Sequence, residues 1–569
     1  MVLDVPTALA DATAARDAGA DLVEFRIDQF FTGSTGADAT IERDAVVDLV
    51  GRSPLPCIVT CRPAGDEGGG FDGDEASRIS LFERLAIAAG EGEHPPRYID
   101  IELATLERSA NVRQKILLAV DHPEQLRDVR TSLIVSTHDF KGRPADLFRR
   151  LSRMRADPAG AVHKVAYMAR SLRDNLDLFD ILAESDRPTI ALGMGRFGIM
   201  SRVLSPKFGG FITFAALRHA SATAPGQPTV SDLLDLYRFR SIKPSTRVYG
   251  VIGDPVEHSL SPHVHNAGFE ELGAWPDASG QGAGGVYLPL PVPSGYEHFK
   301  ATLLALLDHP RLTLSGCSAT IPHKENLLRL AIEQRAAAGT DSGVEGGVEW
   351  EIDELSAACG AANTLIVERS ATGEVRACRV TNTDSPAAVG CLRDSLGELE
   401  GLRVGLYGAG GVARGIGAGL LAVGAKVVIA ARSRAQAEGV ATALRGFTPT
   451  GEIDVVEPGD LTACDAYVNC TPVGMSGGPA PEESALDVAA LSQASDGAAA
   501  GIVVMDTVYN PRETPLLRQT RAAGFRTIDG LAMFTRQAEL QFRAWTGRDP
   551  SPGLFDRIAR GALDGPKKA

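Results

Sequence analysis

Eight short apolar runs, each followed by a helical pattern, fill the first 240 residues and constrain the fold more than any other feature. They are VLDVP (2–6), DLVEFRI (21–27), PCIVTC (56–61), RYIDIEL (97–103), TSLIVS (131–136), AVHKVAYM (161–168), RPTIALGM (187–194) and GGFITFA (209–215). Between them lie segments such as TALADATAARDAG and SRISLFERLAIAAG, with apolar residues at helical spacing. Consecutive parallel strands need a crossover, and a helix is the usual one. Eight such units in about 230 residues fit an α/β fold that closes as a (β/α)8 barrel. The first run starts beside Met1, so its pairing is expected to be incomplete.

A break follows at SATAPGQPTVSDLLDLYRFRSIKPSTR, with Pro, polar residues, a short helix and a basic linker around 240–247. A second β/α series starts at VYGVIGDP and a third near residue 400, at LRVGLYGAGG. Gly-rich stretches at 273–285 and 337–348 read as surface loop insertions. The 569 residues allow about three or four domains at roughly 150 each. Lys plus Arg is 57 and Asp plus Glu is 72, a net charge of −15. Nucleic acid is excluded as a partner, because a phosphate backbone needs a Lys/Arg face. Docking on anionic membrane is disfavoured for the same reason. No apolar run reaches 18 residues, and the start lacks a basic segment before an apolar one, so neither a membrane span nor a signal peptide is expected. The eight Cys are scattered without a CxxC pair, which fits reduced thiols in a cytoplasm. Cys57 and Cys61 share one apolar run and read as core.

Active sites of parallel barrels lie at the C-terminal ends of the strands. Glu24 and Arg26 end the second run, Arg62 follows the third, and His138-Asp139 follows the fifth. Lys164 lies inside the sixth, Ser201-Arg202 follows the seventh, and Ala224-Pro225-Gly226-Gln227 follows the eighth at a distance. Three Arg, one His, one Lys and one Glu suit an anionic carbonyl substrate. An unpaired Lys in a barrel lumen is costly as an ammonium, and desolvation makes its neutral amine available as a nucleophile. Moving it from about 10.4 toward 7–8 needs roughly 3–4 kcal/mol of bias. Strand pattern alone leaves this open against a Lys snorkelling at a strand end, and His138 open against a satisfied core histidine. Asp100 and Glu102 point the same way; with no third ligand evident, buried hydrogen-bonded carboxylates are expected rather than a metal pair.

In the second half, Gly408-Ala409-Gly410-Gly411-Val412-Ala413 follows an apolar run and opens a helical segment. This is a G-x-G-x-x-A variant of the dinucleotide fingerprint, whose glycines let backbone N–H groups approach a pyrophosphate. The next strand, AKVVIAARS, ends in Arg432-Ser433 without the acidic residue expected for an NAD ribose. An Arg there suits a 2′-phosphate, so NADP is the expected cofactor. His263-x-His265 invites a zinc reading, which is rejected because no carboxylate or Cys joins it at ligand spacing.

DLVEFRID, VTCRP, YIDIEL, VSTHDF, KVAYMAR, MGRFGIMSRVLSPKFGGFITFA and APGQP occur in one order and closely resemble type I 3-dehydroquinate dehydratase over residues 1 to about 235. That resemblance implies a metal-independent barrel in which Lys164 forms an imine with the substrate ketone and His138 acts as base and acid. It also places Glu24, Arg26, Arg62, Arg202 and Gln227 around the substrate, with Arg202 on its carboxylate. Thr223 stands where the family usually has Ser, and the loop from Arg62 to Glu67 is one residue longer. Further on, VIGDPVEHSLSPHVHNAGF, GCSATIPHKE, GAANTL, TNTDSPAAVG, VNCTPVGM, MDTVYNP and DGLAMFTRQAELQFRAWTG closely resemble shikimate dehydrogenase over about 247–565. This implies a catalytic Lys324–Asp384 pair, Ser259 and Ser261 on a carboxylate, and Thr320, Asn363, Tyr509 and Gln537 on ring hydroxyls and carboxylate. Ser318 stands where the family commonly has Asn, and the cofactor loop departs from Asn-Arg-Thr while keeping Arg432.

Together the resemblances imply a cytoplasmic fusion of a barrel (1–240), a split substrate domain (247–385, completed by 530–565) and a Rossmann-like NADP domain (386–529). It would dehydrate 3-dehydroquinate to 3-dehydroshikimate and reduce that to shikimate. Its partners would be these small molecules, and a homodimer is compatible. Two rivals are a catabolic NAD-dependent quinate/shikimate oxidoreductase and a ligand sensor that lost catalysis. The presence of Lys164, His138, Lys324 and Asp384 stands against the sensor.

Overall fold

The computed structural model describes residues 1–30, 37–65, 68–87, 95–120, 130–218, 226–273, 284–340, 347–448, 451–495 and 499–564. Thr223, Ala224, Pro225, Glu67 and most of the two Gly-rich stretches lie outside them. The chain divides into two compact units, the first ending at Ser245 and the second starting at Thr246.

In the first unit, six strands pair in parallel and in chain order: β1 (Val23–Arg26), β2 (Cys57–Thr60), β3 (Tyr98–Glu102), β4 (Ser132–Asp139), β5 (Val162–Met168) and β6 (Thr189–Met194). Successive side chains alternate between the two faces, so residues two apart share one. On the inner face Ile58, Tyr98, Ile134, Val162, Ile190 and Leu192 form one apolar cluster, with Leu22, Ile212 and Phe214 packed against it. Two residues further along β2 to β5 the same face becomes polar, at Thr60, Asp100, Ser136 and Lys164. The register pairs Thr60 with Asp100 and Ser136 with Lys164. The apolar layer thus precedes the polar one, which lies nearer the C-terminal ends of the strands.

The first and eighth runs do not join this ladder as strands. In VLDVP the Asp4 carboxylate accepts a hydrogen bond from the Thr7 N–H at 2.8 Å and caps the helix Val5–Asp17. Asp-Val-Pro is a helix start rather than a strand end, and the Val2 N–H donating to the Arg26 carbonyl is the tie to β1. In the eighth run the Phe211 N–H donates to the Thr189 carbonyl at 2.9 Å, and residues 212–215 continue without regular pairing. Of the expected eight strands the described residues form six; the first run opens a helix and the eighth lacks regular pairing.

The second unit holds two six-stranded sheets. The first contains β7 (Arg247–Gly253), β8 (Gly285–Pro291), β9 (Leu314–Ala319), β10 (Glu349–Ile352), β11 (Thr364–Arg369) and β12 (Val375–Thr381), in the order β10-β12-β11-β9-β7-β8. Only β11 runs antiparallel to its neighbours. The second contains β13 (Arg403–Tyr407), β14 (Lys426–Ala430), β15 (Ile453–Val456), β16 (Ala466–Asn469), β17 (Val503–Asp506) and β18 (Arg526–Ile528). It is all parallel, in the order β15-β14-β13-β16-β17-β18. Strand order reverses between β13 and β16, which makes the crevice of a doubly wound sheet.

After β18 the chain returns to the mixed sheet. Helix Gly530–Thr546 is capped by Asp529 and ended by Gly547 in the left-handed conformation. Its Phe542 and Trp545, with Phe555 of the last helix, pack into one cluster with Tyr249, Phe269 and Tyr287. The Trp545 indole N–H donates to the Leu365 carbonyl at 2.9 Å. Phe542 is fully buried, so Phe542→Ala is expected to destabilise the second unit by about 3–5 kcal/mol. Denaturant unfolding followed by Trp545 fluorescence measures it, and a change below about 1 kcal/mol would show that this docking is not what holds the unit.

Candidate active sites

In the first unit Lys164 is only 5% exposed. Its Nζ donates to Asp100 Oδ2 at 2.7 Å, lies 3.6 Å from Glu24 Oε1, and stands 4.5 Å above the centre of the Phe214 ring. Asp100 is fully buried and also accepts from Arg62 Nη2 at 3.2 Å and Ser136 Oγ at 2.5 Å. Burial pushes its carboxyl up, but the Lys164 and Arg62 charges outweigh that and hold it well below the carboxylate range. These contacts occupy the carboxylate that a metal would need. Glu24 is oriented by the Thr60 hydroxyl, 2.8 Å from its Oε1.

Arg62 Nη1 lies 2.9 Å from His138 Nδ1. A guanidinium only donates, so that nitrogen is the acceptor and the neutral ring carries its proton on Nε2. Desolvation first, then the Arg62 and Lys164 charges, hold His138 well below 6.5. The other two predicted arginines differ. Arg26 is engaged bidentately by Asp28 at 2.9 and 3.1 Å. Arg202 is 3% exposed, gives one hydrogen bond to the Phe214 carbonyl, and has no partner for Nε. Burial lowers its pKa to about 10, and no carboxylate pairs with it among the described residues. A desolvated guanidinium without a counter-ion is a built site for an anion. Gln227 is buried. Sequence reasoning assigned Asp100 no place in the site, and it missed the supporting Arg78, which bonds Glu75, Glu102 and the Cys61 carbonyl. An Arg inside the apolar helical pattern 78–87 was the available signal for Arg78.

In the second unit Lys324 and Asp384 are the first residues of two helices, Lys324–Thr340 and Asp384–Leu396. Lys324 Nζ donates to Asp384 Oδ2 at 2.5 Å. His323 fixes the start of the first helix by bonding the Val292 carbonyl at 2.8 Å. The pair opens on a cavity of about 160 Å³ that Ser259, Ser261, Thr320, Tyr509 and Gln537 also line. Asn363, expected with them, is buried and bonded to its neighbours. Its Oδ1 accepts from the Thr383 N–H and the Thr364 hydroxyl, both at 2.8 Å, and its Nδ2 donates to the Thr383 hydroxyl. Ser318 and Gln541 also line the cavity, and the Gln-x-x-x-Gln spacing on one helical face was the readable signal for the second.

The glycine-rich turn follows β13 at the crevice. Gly408 has φ +122°, and a Cβ there would crowd the Cys470 carbonyl and Thr471. At Gly410 and Gly411 a Cβ would meet nothing within 4 Å, so that backbone faces open space. Helix Gly411–Ala422 starts with no side-chain cap, which leaves its first N–H groups for an anion. Ala409 lies in the turn, Ala413 is buried, and Val412 reaches the substrate cavity. Arg432, at the end of β14, is exposed with no carboxylate partner among the described residues, whereas Arg434 pairs with Glu438 and Glu457. Ser433 caps helix Arg434–Phe447. Open backbone donors, a helix start and a free guanidinium fit a dinucleotide with a 2′-phosphate.

The site histidines predict a pH response. Burial drives His265, stacked 4.5 Å from Tyr287, down to about 3. His138 and His265 both lie below the unfolded value of about 6.5. The unfolded chain therefore takes up their protons first, so this stability is full above pH 6.5 and falls as pH drops, by up to ~1.4 kcal/mol per pH unit for each. Imidazole ¹⁵N spectra at pH 5.5 should show both rings neutral; imidazolium signals from either there would refute the assignment.

Residues 1–244 match the family Type I 3-dehydroquinase, and residues 251–340 match the shikimate dehydrogenase substrate binding domain. The chain is 33% identical over 564 residues to a chloroplastic bifunctional 3-dehydroquinate dehydratase/shikimate dehydrogenase of Arabidopsis thaliana, covering 96% of this chain and 81% of that one. It is 38% identical over 317 residues to a shikimate dehydrogenase (NADP(+)) of Methanocella arvoryzae, covering 56% of this chain and 99% of the relative. Among solved structures, a shikimate dehydrogenase in complex with NADP+ matches at 28% identity with a TM-score of 0.45, over 56% of this chain and 96% of that one.

Proposed function

The chain belongs to the bifunctional 3-dehydroquinate dehydratase/shikimate dehydrogenase family, and we propose that Lys164 and the Lys324–Asp384 pair carry its two reactions. It is a lyase and an NADP-dependent oxidoreductase of the shikimate pathway, dehydrating 3-dehydroquinate and reducing the product to shikimate.

One observation carries the first assignment: buried Lys164 stands over the Phe214 ring, and buried Arg202, with no carboxylate partner among the described residues, donates to the carbonyl of that same Phe214. The substrate carboxylate docks on Arg202, which places the ketone at Lys164. Nζ attacks the carbonyl carbon, water leaves, and an imine forms. Asp100 and Glu24 are the nearest acceptors for the proton that Nζ sheds. The iminium then withdraws electrons, so the adjacent C–H becomes acidic and His138 removes its proton. Before that step Arg62 must leave Nδ1, and an anionic substrate draws it away. His138 returns the proton as the hydroxyl departs as water, and hydrolysis of the imine frees Lys164. Arg26, held by Asp28, and Gln227 position the ring.

In the second unit the carboxylate docks on Ser259 and Ser261, while Thr320, Tyr509 and Gln537 hold the rest of the ring. Asn363, bonded to Thr383, holds a ring hydroxyl with them. Bound NADPH supplies a hydride. Lys324 gives the carbonyl oxygen its proton, and Asp384, 2.5 Å from Nζ, aims it. The turn Gly408–Ala413 cradles the pyrophosphate, and Arg432 with Ser433 meets the 2′-phosphate. The division into a barrel (1–240), a substrate domain (247–385 with 530–565) and an NADP domain (386–529) follows from these roles. No helix of the described residues is long and apolar enough to cross a membrane. With eight free cysteines, a cytoplasmic location fits; a homodimer is the assembly that sedimentation should test.

Borohydride added with 3-dehydroquinate should trap an adduct on Lys164, and Lys164→Ala should lose dehydratase activity by at least 10³-fold. An adduct on another lysine would overturn the imine assignment. Arg432→Ala should raise the KM for NADPH by about 10-fold or more, as expected for a lost charge–phosphate contact, while leaving NADH unchanged. A parallel rise for both cofactors would remove Arg432 from the 2′-phosphate.

A further inference from the structure

Hydrogen-bond directions in the wall of the second cavity assign Ser318 a polarity. The Gln541 carboxamide is buried between two kinds of neighbour. Its Nε2 faces the Asn363 carbonyl at 3.3 Å and the Thr364 hydroxyl at 3.0 Å. A backbone carbonyl only accepts, so the amide nitrogen must point there and Oε1 must point the other way. Oε1 meets Ser318 Oγ at 2.9 Å. That oxygen only accepts as well, so the one Ser318 proton is directed to Gln541.

Tyr287 Oη lies 2.6 Å from the same Ser318 oxygen. With the Ser318 proton already directed, the Tyr287 phenol must donate. Tyr287 is fully buried, and its ring is clamped by the neutral imidazole of His265 and by Trp545. The chain of donors therefore runs one way, from Tyr287 through Ser318 to Gln541 and on to Thr364. A hydroxyl oxygen has two lone pairs, and Tyr287 takes one. The other remains to the cavity that Ser318 lines. Ser318 offers the cavity an acceptor and no proton.

We propose that Ser318 is a specificity-determining residue that accepts a hydrogen bond from a ring hydroxyl of the substrate, and that Gln541 is a positioning residue that sets this polarity. The inference rests on the shikimate dehydrogenase reading of this cavity. An acceptor of this kind suits an alcohol and repels a carboxylate. A buried polar group left unpaired by a ligand that lacks the matching hydroxyl penalises that ligand.

The test uses the full chain, NADP+, shikimate, and two shikimate analogues that each lack one of the ring hydroxyls that are not oxidised. Ser318→Ala should lower kcat/KM for shikimate by roughly 10-fold, as for one lost hydrogen bond. For one of the two analogues, wild type and Ser318→Ala should coincide. Gln541→Met keeps the length but removes the acceptor, and should raise the KM for shikimate more than it lowers kcat, with the KM for NADP+ unchanged. The same loss in Ser318→Ala for shikimate and both analogues would overturn the proposal, as would a matching rise in the KM for NADP+. Wild type that fails to oxidise shikimate would overturn the functional reading instead. Calorimetric titration of shikimate and the analogues then compares wild type with Ser318→Ala directly, and an equal loss for all three ligands would overturn the Ser318 assignment.

Discussion

An ammonium drawn out of water must keep a counter-ion beside it, and both units build their chemistry on that constraint. Lys164 sits 2.7 Å from Asp100, and Lys324 sits 2.5 Å from Asp384. The two pairs are supported differently. Asp100 is fully buried and shared among Lys164, Arg62 and Ser136, so one carboxylate organises three donors. Asp384 and Lys324 each begin a helix, and the pair remains partly open to solvent. Lys164 is enclosed, with two carboxylates at 2.7 and 3.6 Å from its Nζ. A lysine that delivers a proton needs access to solvent to recover it.

Around these pairs, the cations divide into those already neutralised and those left open. Arg26, Arg78 and Arg434 have carboxylate partners. Arg202 and Arg432 pair with none among the described residues, one fully desolvated and the other at the surface. Both stand where an anionic group of a ligand is expected. Against a net charge of −15, such open guanidinium groups act locally. Their own unit leaves them without a carboxylate among the described residues.

Much of the site was legible because chemistry-bearing residues sit at topologically set places. Once alternation marked the strands, Glu24, Arg26, Arg62, His138 and Lys164 had to lie at or near strand ends on one face. The fingerprint after β13 and Arg432 after β14 followed from the same logic. VLDVP was misread because Asp-Val-Pro serves both as an apolar run and as a helix cap, and the cap prevailed once Thr7 supplied its N–H. What the spacing did not show is that Asn363 is also tied by hydrogen bonds to Thr383 and Thr364. The shorter Ser318 was expected to leave a weaker network. Tyr287 from β8 and Gln541 from the last part of the chain close that gap instead.

The amino-acid sequence by itself determined the β/α alternation, the placement of reactive side chains at strand ends and helix starts, and the preference for NADP over NAD. These depend on short spacings that a local backbone geometry translates directly. Only the tertiary structure decided which carboxylate holds each lysine, which arginines stay unpaired, and in which direction the protons of the Tyr287–Ser318–Gln541 chain point. Those outcomes join residues 64, 60 and 223 positions apart. No local pattern encodes them, because they are settled by which donors and acceptors meet once the sheets and the returning helix have packed.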